Sequence, residues 1–549
     1  MIIFTFHPFN LKNILKVSQI TSFCIINSHY IRYYYIIMSN AAALFAKHNS
    51  HYFYYLLQKK HYFLFEMKIT FLTPPELIGH QPAERTAGCT RMVYPMPNIY
   101  ELSVAAVLEE EGVHDITRRD FVFDGNGNEA SLRQFIAERN ADIYFIWTVN
   151  LSIQSDLKAM HIIHEVAPHA YVVLLGPGPT YFTKQCLAHD HVIIVRGEPE
   201  ATVRELVDAM HNHRDWSEVR GISFLRDGKF HSNPFRPLIS DLDALPFPAR
   251  HFIEDKQYHN PKLKTGPYTT AVTSRNCPYG CIYCVPSSLT FAREMEFRKE
   301  FGRKPTIGFR SVASIEREME LLHSRGYKAI GFMDDNFIWN EERTSQICEI
   351  MRRFGFVWGC QARVDAITEP IAKMLGESGC MYVDLGIESF NDDILRFIKK
   401  GITSAQIYQA IALLKKYSVP VKLNVLIGSS PLETKETIRH TLREAKKLDV
   451  DQVMFNIVSP FPGTEFYKMC IENGWLATPD YVPTDVQRES ILNYPHLSAE
   501  DMEKALFRNN LSYFIRPSFI FKQLRRFKSM SEFVNALKAL KIKLFGYSK

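Results

Sequence analysis

Three cysteines stand close together in the string NCPYGCIYC: Cys277, Cys281 and Cys284. Thiolates at this spacing suit an iron–sulfur cluster, and a 4Fe–4S cluster held by only three of them keeps one iron open to a substrate or cofactor. Zinc is the alternative, but a closed tetrahedral site takes a fourth Cys or His. No such partner stands at finger-like spacing behind Cys284. The other seven cysteines, Cys24, Cys89, Cys186, Cys348, Cys360, Cys380 and Cys470, are scattered singly. Ten cysteines in 549 residues are too sparse for a disulfide scaffold, and no segment reads as a signal peptide. The setting expected is reducing and cytoplasmic, where clustered thiols mean metal.

The triplet directly follows TTAVTSR, the first of six apolar runs. KAIGFMDD, FVWGCQAR, MYVDLGIES, VKLNVLIG and DQVMFNIVSP are the others, and helical patterns separate them. Such alternation predicts a partial or full (β/α) barrel over 265–470, with the thiols in a loop at the carboxyl-terminal face, where barrel sites lie. An earlier alternation over 67–213 includes KITFL, DIYFIWTVN, AYVVLLGPGPT and HVIIVRGEPE. Its strands are apolar on both faces, as buried parallel strands must be, which predicts a doubly wound α/β domain. Ligands in that fold bind beyond the carboxyl ends of the strands. Those ends put forward Thr148 and Asn150, Gly176 and Gly178, and Gly197 and Glu198. Between the two units, 214–264 reads as a connector containing the hairpin GISFLRDGKF.

The spacing C-x-x-x-C-x-x-C, with an aromatic residue (Tyr283) before the last cysteine, resembles the radical S-adenosylmethionine superfamily. MDDNF, GIES, LIGSSPLET and SPFPGTEFY, each after a barrel strand, resemble its cobalamin-binding branch, as does the Gly-Glu turn of VRGEPE. The resemblance covers roughly 67–474. It implies a cluster on the three cysteines, S-adenosylmethionine on its open iron, and reductive cleavage to a 5′-deoxyadenosyl radical. It also implies that Tyr283 belongs to the cofactor site and that Asp334 and Asp335 border the cofactor's methionine end. Glu388 and Ser389 would bind its polar groups, and the backbone at Ile427–Gly428 would border adenine. One departure stands in that last loop, where Ser429, Ser430 and Leu432 replace the usual glycine-proline-glycine turn.

The same resemblance implies a cobalamin-binding domain ahead of the barrel. The Asp-x-His-x-x-Gly string whose histidine ligates cobalt does not occur, so cobalamin is expected to bind without a histidine; His80, His114, His189 and His191 are the substitutes at hand. The activity implied is methylation of an unactivated carbon or phosphorus centre. Radical cyclisation or rearrangement with the same cofactors is the first rival. A methylthiotransferase would need three further cysteines before the barrel, where only Cys89 and Cys186 stand after residue 66. A non-enzymatic metal or redox module is the last rival. Expected partners are a small-molecule or lipid-like substrate and an electron donor such as flavodoxin or ferredoxin.

Composition bounds the rest. Hydrophobic residues make up 46% and charged residues 23%, ordinary for a globular chain, and a net charge of +6 is too small to call for nucleic acid. No uncharged apolar run reaches the roughly 18 residues of a membrane helix. Residues 1–66 are crowded with Tyr, Phe, Ile and His and hold one acid, Glu66. They read as an upstream extension, with the working start at Met67. The region 471–549 reads as a helical, basic tail with a solvated face.

Overall fold

The computed structural model describes residues 67–520, apart from 79–84, 88–93, 113, 126, 255–256, 449, 479–485 and 518–519. The expectations for 1–66, for His80 and for 521–549 fall outside the described residues. The chain divides at Glu66/Met67, the point where its composition changes.

The first sheet has seven strands: β1 (Met67–Thr73), β2 (His114–Asp120), β3 (Ile143–Trp147), β4 (Tyr171–Leu175), β5 (Val192–Val195), β6 (Ile222–Arg226) and β7 (Lys229–Ser232). Their order is β2-β1-β3-β4-β5-β6-β7. The first five are parallel, and every residue of β3 and β5 is buried. Helices cover both faces and form two separate apolar layers, one around Val104 and Val203 and one around Leu132 and Ile163. Two details differ from the sequence reading. The strand β2, HDITRRD, escapes an apolar-run search because it is an edge strand whose charges are paired, Arg118 with Glu101 and Arg139 with Asp115. The hairpin assigned to the connector instead extends this sheet, β6 pairing antiparallel with β5. Its turn uses positive φ at Asp227 and Gly228.

The second sheet is wholly parallel: β8 (Tyr268–Ala271), β11 (Ala329–Phe332), β12 (Val357–Ala362), β13 (Cys380–Glu388), β14 (Val421–Ile427) and β15 (Gln452–Ile457). These run in order from β8 at one edge to β15 at the other, as an open partial barrel. A short antiparallel pair, β9 (Ser274–Arg275) and β10 (Gly308–Phe309), stands at the mouth beside the first strand. The C-terminal region is not a solvated tail over its described part. Leu492, Tyr494, Leu497, Met502, Leu506 and Tyr513 all join the barrel's apolar core. The helix Ala499–Phe514 packs on β15 and on the helix Lys435–Lys447.

Candidate active site

The loop carrying the thiols leaves β9 through Asn276, whose φ of 83° lies in the left-handed region. Asn276 is held in that conformation on three sides. Its amide N–H donates to Thr290 Oγ1 (3.3 Å), its Nδ2 donates to the Thr306 carbonyl (3.1 Å), and its Oδ1 accepts from Arg293 Nη1 (2.7 Å). Lys304 Nζ donates to the carbonyls of Cys277 (3.3 Å) and Tyr279 (2.8 Å). The Arg363 guanidinium lies 3.6 Å from the centre of the Tyr279 ring. The loop is thus fixed by its backbone and neighbours, leaving all three cysteines outside any disulfide and partly accessible.

Burial pushes the Cys277 thiol up to about 11, with Asp335 adding to the rise and Lys304 opposing it. Cys284 is raised further by burial and by the two neighbouring thiols, against the pull of Lys400 and Lys304. Thiols such as Cys277 and Cys284, whose proton affinity is raised beside neighbouring thiols, suit a cationic metal, which removes those protons. Among the described residues no three donors converge at the spacing of a single ion. The set suits a cluster whose irons each take one thiolate.

Around the thiols, Lys400 Nζ donates to Glu388 Oε1 (2.7 Å) and lies 3.4 Å from the Tyr283 hydroxyl. Burial works to lower the Lys400 ammonium, and Glu388 with the thiols outweighs it, so its net shift is upward. Glu388 has φ of 61°, a conformation a non-glycine residue seldom adopts and one typical of functional sites. Ser389 accepts from the Asn391 amide and meets Thr441 Oγ1 at 3.4 Å. Asp334 ties the loop after β11 to the start of β9: it accepts from Thr273 N and Oγ1 and from Ser274 Oγ, and burial raises it to about 6. Asp335 accepts from Ser287 N and Thr290 Oγ1 (both 2.6 Å), at the head of the helix Ser288–Phe301. Both aspartates therefore stand beside the cysteine loop with their carboxylates already occupied.

Ile427 is buried, and Gly428 turns the chain with φ of 81°. The Gly428 amide donates to the buried Glu433 carboxylate, and its carbonyl accepts from Tyr494 Oη (2.8 Å). Burial raises Glu433 to about 8. A Cβ at Gly428 would meet Met502 Sδ at 2.5 Å. Three further polar atoms at this barrel edge are buried without a partner: Ser429 Oγ, Asn456 Oδ1 and Ser459 Oγ. Buried polar atoms are normally satisfied, so a bound ligand or an ordered water is expected to complete these.

In the first sheet the strand order reverses between β1 and β3, and an open α/β sheet binds ligands at that point. Thr148 and Asn150 follow β3 there. Both are buried, and Thr148 Oγ1 and Asn150 Oδ1 have no partner. The glycines stand in close contacts. A Cβ at Gly176 would meet the Thr148 carbonyl at 2.7 Å, and one at Gly197 would meet Glu296 at 3.4 Å. Gly178 lies against Thr148 in the same way. These positions let loops and the helix Ser288–Phe301 pack closely. Glu198 is committed to ion pairs with Arg275 (2.6 Å) and Arg293 (2.9 Å). Trp147 Nε1 donates to Ser288 Oγ (3.0 Å), so the helix that opens just after the thiol loop rests on the end of β3.

Sequence reasoning missed Arg275, Asn276, Arg293, Lys400 and Glu433. Asn276 was in plain view beside Cys277. Lys400, in a Lys-Lys pair at a helix end, reads as surface charge until its buried partner is seen.

Residues 271–445 match the model of the radical SAM superfamily. The chain is 30% identical over 471 residues to an uncharacterized methyltransferase of Pyrococcus horikoshii, covering 83% of this chain and 95% of that protein. It is 25% identical to the anaerobic magnesium-protoporphyrin IX monomethyl ester cyclase of Synechocystis, over 74% of this chain and 78% of the cyclase. Its fold is similar to that of the radical S-adenosylmethionine methyltransferase TsrM from Kitasatospora setae, solved with cobalamin and a [4Fe-4S] cluster bound. That likeness has a TM-score of 0.58 at 18% identity and covers 74% of this chain and 75% of TsrM. With the three thiols at the barrel mouth and a doubly wound domain ahead of it, the chain belongs to the radical S-adenosylmethionine superfamily.

Proposed function

We propose that this protein is a cobalamin-dependent radical S-adenosylmethionine methyltransferase acting on an unactivated carbon or phosphorus centre of a small-molecule or lipid-like substrate. The observation that carries this reading is the pair of edges that keep buried polar atoms without a protein partner. The thiols with Ser429, Asn456 and Ser459 stand at the barrel mouth, and Thr148 with Asn150 stands at the switch point of the first sheet. The helix Ser288–Phe301 joins the two.

When bound, a 4Fe–4S cluster with S-adenosylmethionine supplies a 5′-deoxyadenosyl radical, and cobalamin supplies a methyl carrier. Cys277, Cys281 and Cys284 would hold the cluster. Lys304 and Lys400 place positive charge beside the thiols and favour their ionised form. Lys400 and Glu388, a buried ion pair against Tyr283, present fixed charges to the cofactor's polar end. Ser429, Asn456 and Ser459 supply hydrogen-bonding atoms that the protein leaves unused. Thr148 and Asn150 do the same for cobalamin. A flavodoxin- or ferredoxin-type donor would supply the electron.

A second reading keeps the cofactors and ends in cyclisation or rearrangement. The similarity to a magnesium-protoporphyrin ester cyclase favours it. The test common to both is anaerobic reconstitution of the full chain and of a C277A/C281A/C284A variant. The wild type is expected to show cluster absorption and to cleave S-adenosylmethionine reductively, and the variant to lose both. A variant that kept them would contradict the assignment. Product mass against deuteriomethyl-labelled S-adenosylmethionine then separates the readings, because only methylation adds the label.

A further inference from the structure

Six charged side chains form one buried group where the first sheet meets the thiol loop. Arg196, Glu198 and Glu200 come from the turn after β5, and Arg275, Arg293 and Glu296 come from β9 and the helix Ser288–Phe301. None is more than 7% exposed. Arg275 divides its guanidinium between two carboxylates, Nη1 to Glu198 Oε1 and Nη2 to Glu200 Oε1, both at 2.6 Å. Arg293 lies 2.9 Å from Glu198 and also donates to Asn276 Oδ1 at 2.7 Å. Arg196 pairs with Glu296 at 3.0 Å and donates to the Ile222 carbonyl at 2.6 Å. The second carboxylate oxygen of Glu198 accepts from the Ile239 amide at 2.6 Å.

Three positive and three negative groups balance, and every ion pair named crosses from the first sheet to the barrel. The connections converge on Asn276, the residue that precedes Cys277. Buried ion pairs are poor sources of net stability, because desolvation offsets attraction, but they enforce one geometry: losing one partner leaves an uncompensated buried charge. Their best use is to fix a register.

We infer that Glu198 and Glu200, acting through Arg275, Arg293 and Asn276, are positioning residues that lock the cobalamin-type domain to the thiol loop and so set the spacing between the two cofactors. This rests on the cofactor assignment above for its functional meaning, although the lock itself is a property of the polypeptide. Glu198 is thereby assigned to an interdomain joint, where the Gly-Glu turn suggested a cofactor contact. The turn's shape serves the same end: Gly197, at φ of 73°, lets the backbone pass against Glu296.

The test uses the full chain and the near-isosteric variant E198Q, with E205Q on the exposed face of the helix Glu200–His211 as the control. Hydrogen exchange of the protein without cofactors is the first readout. E198Q is expected to speed exchange at least tenfold in peptides covering both 194–200 and 272–287, and to leave β14 unchanged. Exchange like the wild type in both peptides would overturn the inference, whatever cofactors bind. Should E198Q not fold, the double variant E198Q/R275Q removes both charges and is expected to recover solubility, since the imbalance is gone. Double-variant losses that merely add would contradict coupling.

The second readout, on reconstituted protein, is the electron–electron dipolar coupling between cob(II)alamin and the reduced cluster. E198Q is expected to broaden a distance that is single and narrow in the wild type, at unchanged iron and cobalamin content. Loss of cobalamin from E198Q with unaltered exchange would make Glu198 a cofactor contact and sink the proposal. Failure of the wild type to bind cobalamin would count against the proposed function alone, and exchange would still decide the lock.

Discussion

Glu433 shows how one residue holds the turn after β14. Its carboxylate accepts from the Gly428 amide in a site that excludes water, and burial raises it to about 8 from an ordinary 4.5. The unfolded chain therefore releases this proton at lower pH than the folded chain does. Its stabilising contribution is complete below pH 4.5 and is lost as pH rises through about 8. Glutamine keeps an acceptor for the Gly428 amide and does not titrate. We expect wild-type stability, measured against E433Q by chemical denaturation, to fall across that window by up to about 1.4 kcal/mol per pH unit and to level off above it. A difference independent of pH would show that Glu433 is ionised in the fold. The sequence contained this residue inside LIGSSPLET but gave no sign that it reaches back to Gly428, because that contact exists only once the turn has closed.

At the scale of elements, the helix Ala499–Phe514 is the clearest departure from the sequence reading. Its basic surroundings resembled a solvated tail, yet Met502 seats against Gly428, Tyr513 Oη donates to the Val450 carbonyl (3.2 Å), and Leu506 is 2% exposed. L506A is expected to cost about 2–5 kcal/mol in urea unfolding, the range for a buried leucine truncated to alanine. A change within about 0.5 kcal/mol would mark the helix as surface. The strands of the barrel were legible because each is a continuous apolar run with a chemical motif at its end. The edge strand β2 and the added hairpin β6–β7 were not read as members of the first sheet. Edge pairing leaves polar faces, and antiparallel addition has no motif of its own. Among site residues, the three cysteines were legible from spacing alone. Thr148 and Asn150 were put forward from their place after a strand, as were Gly176, Gly178, Gly197 and Glu198; the first two keep unpartnered atoms, and the others meet packing neighbours or ion-pair partners. Position at a strand end names candidates; only the presence or absence of a protein partner sorts them.

At the scale of the whole molecule, the fold described begins at Met67, where the chain divides and its composition changes. A chain starting at Met67 is expected to keep the full-length protein's thermal unfolding midpoint and cluster content. Insolubility of the shorter chain beside a soluble full-length one would contradict this. Among the described residues no helix is long and apolar enough to cross a membrane. The first sheet also bears on how cobalt would be held. His114 opens β2, His189 and His191 precede β5, and His164 and His211 lie in the last turns of their helices. All five sit at the amino edge of the sheet, opposite Thr148 and Asn150. Among the described residues, Thr148 and Asn150 at the carboxyl edge offer hydroxyl and amide groups, and the choice of such groups is how a protein tunes a metal. The most direct measurement is electron paramagnetic resonance of cob(II)alamin bound to the full-length protein, prepared with ordinary and with ¹⁵N-labelled polypeptide. The expected result is a protein-bound signal whose nitrogen splitting does not change with the label. A splitting that changes with the label would place a protein histidine on cobalt, and the absence of any bound cob(II)alamin would contradict the cobalamin-dependent function itself.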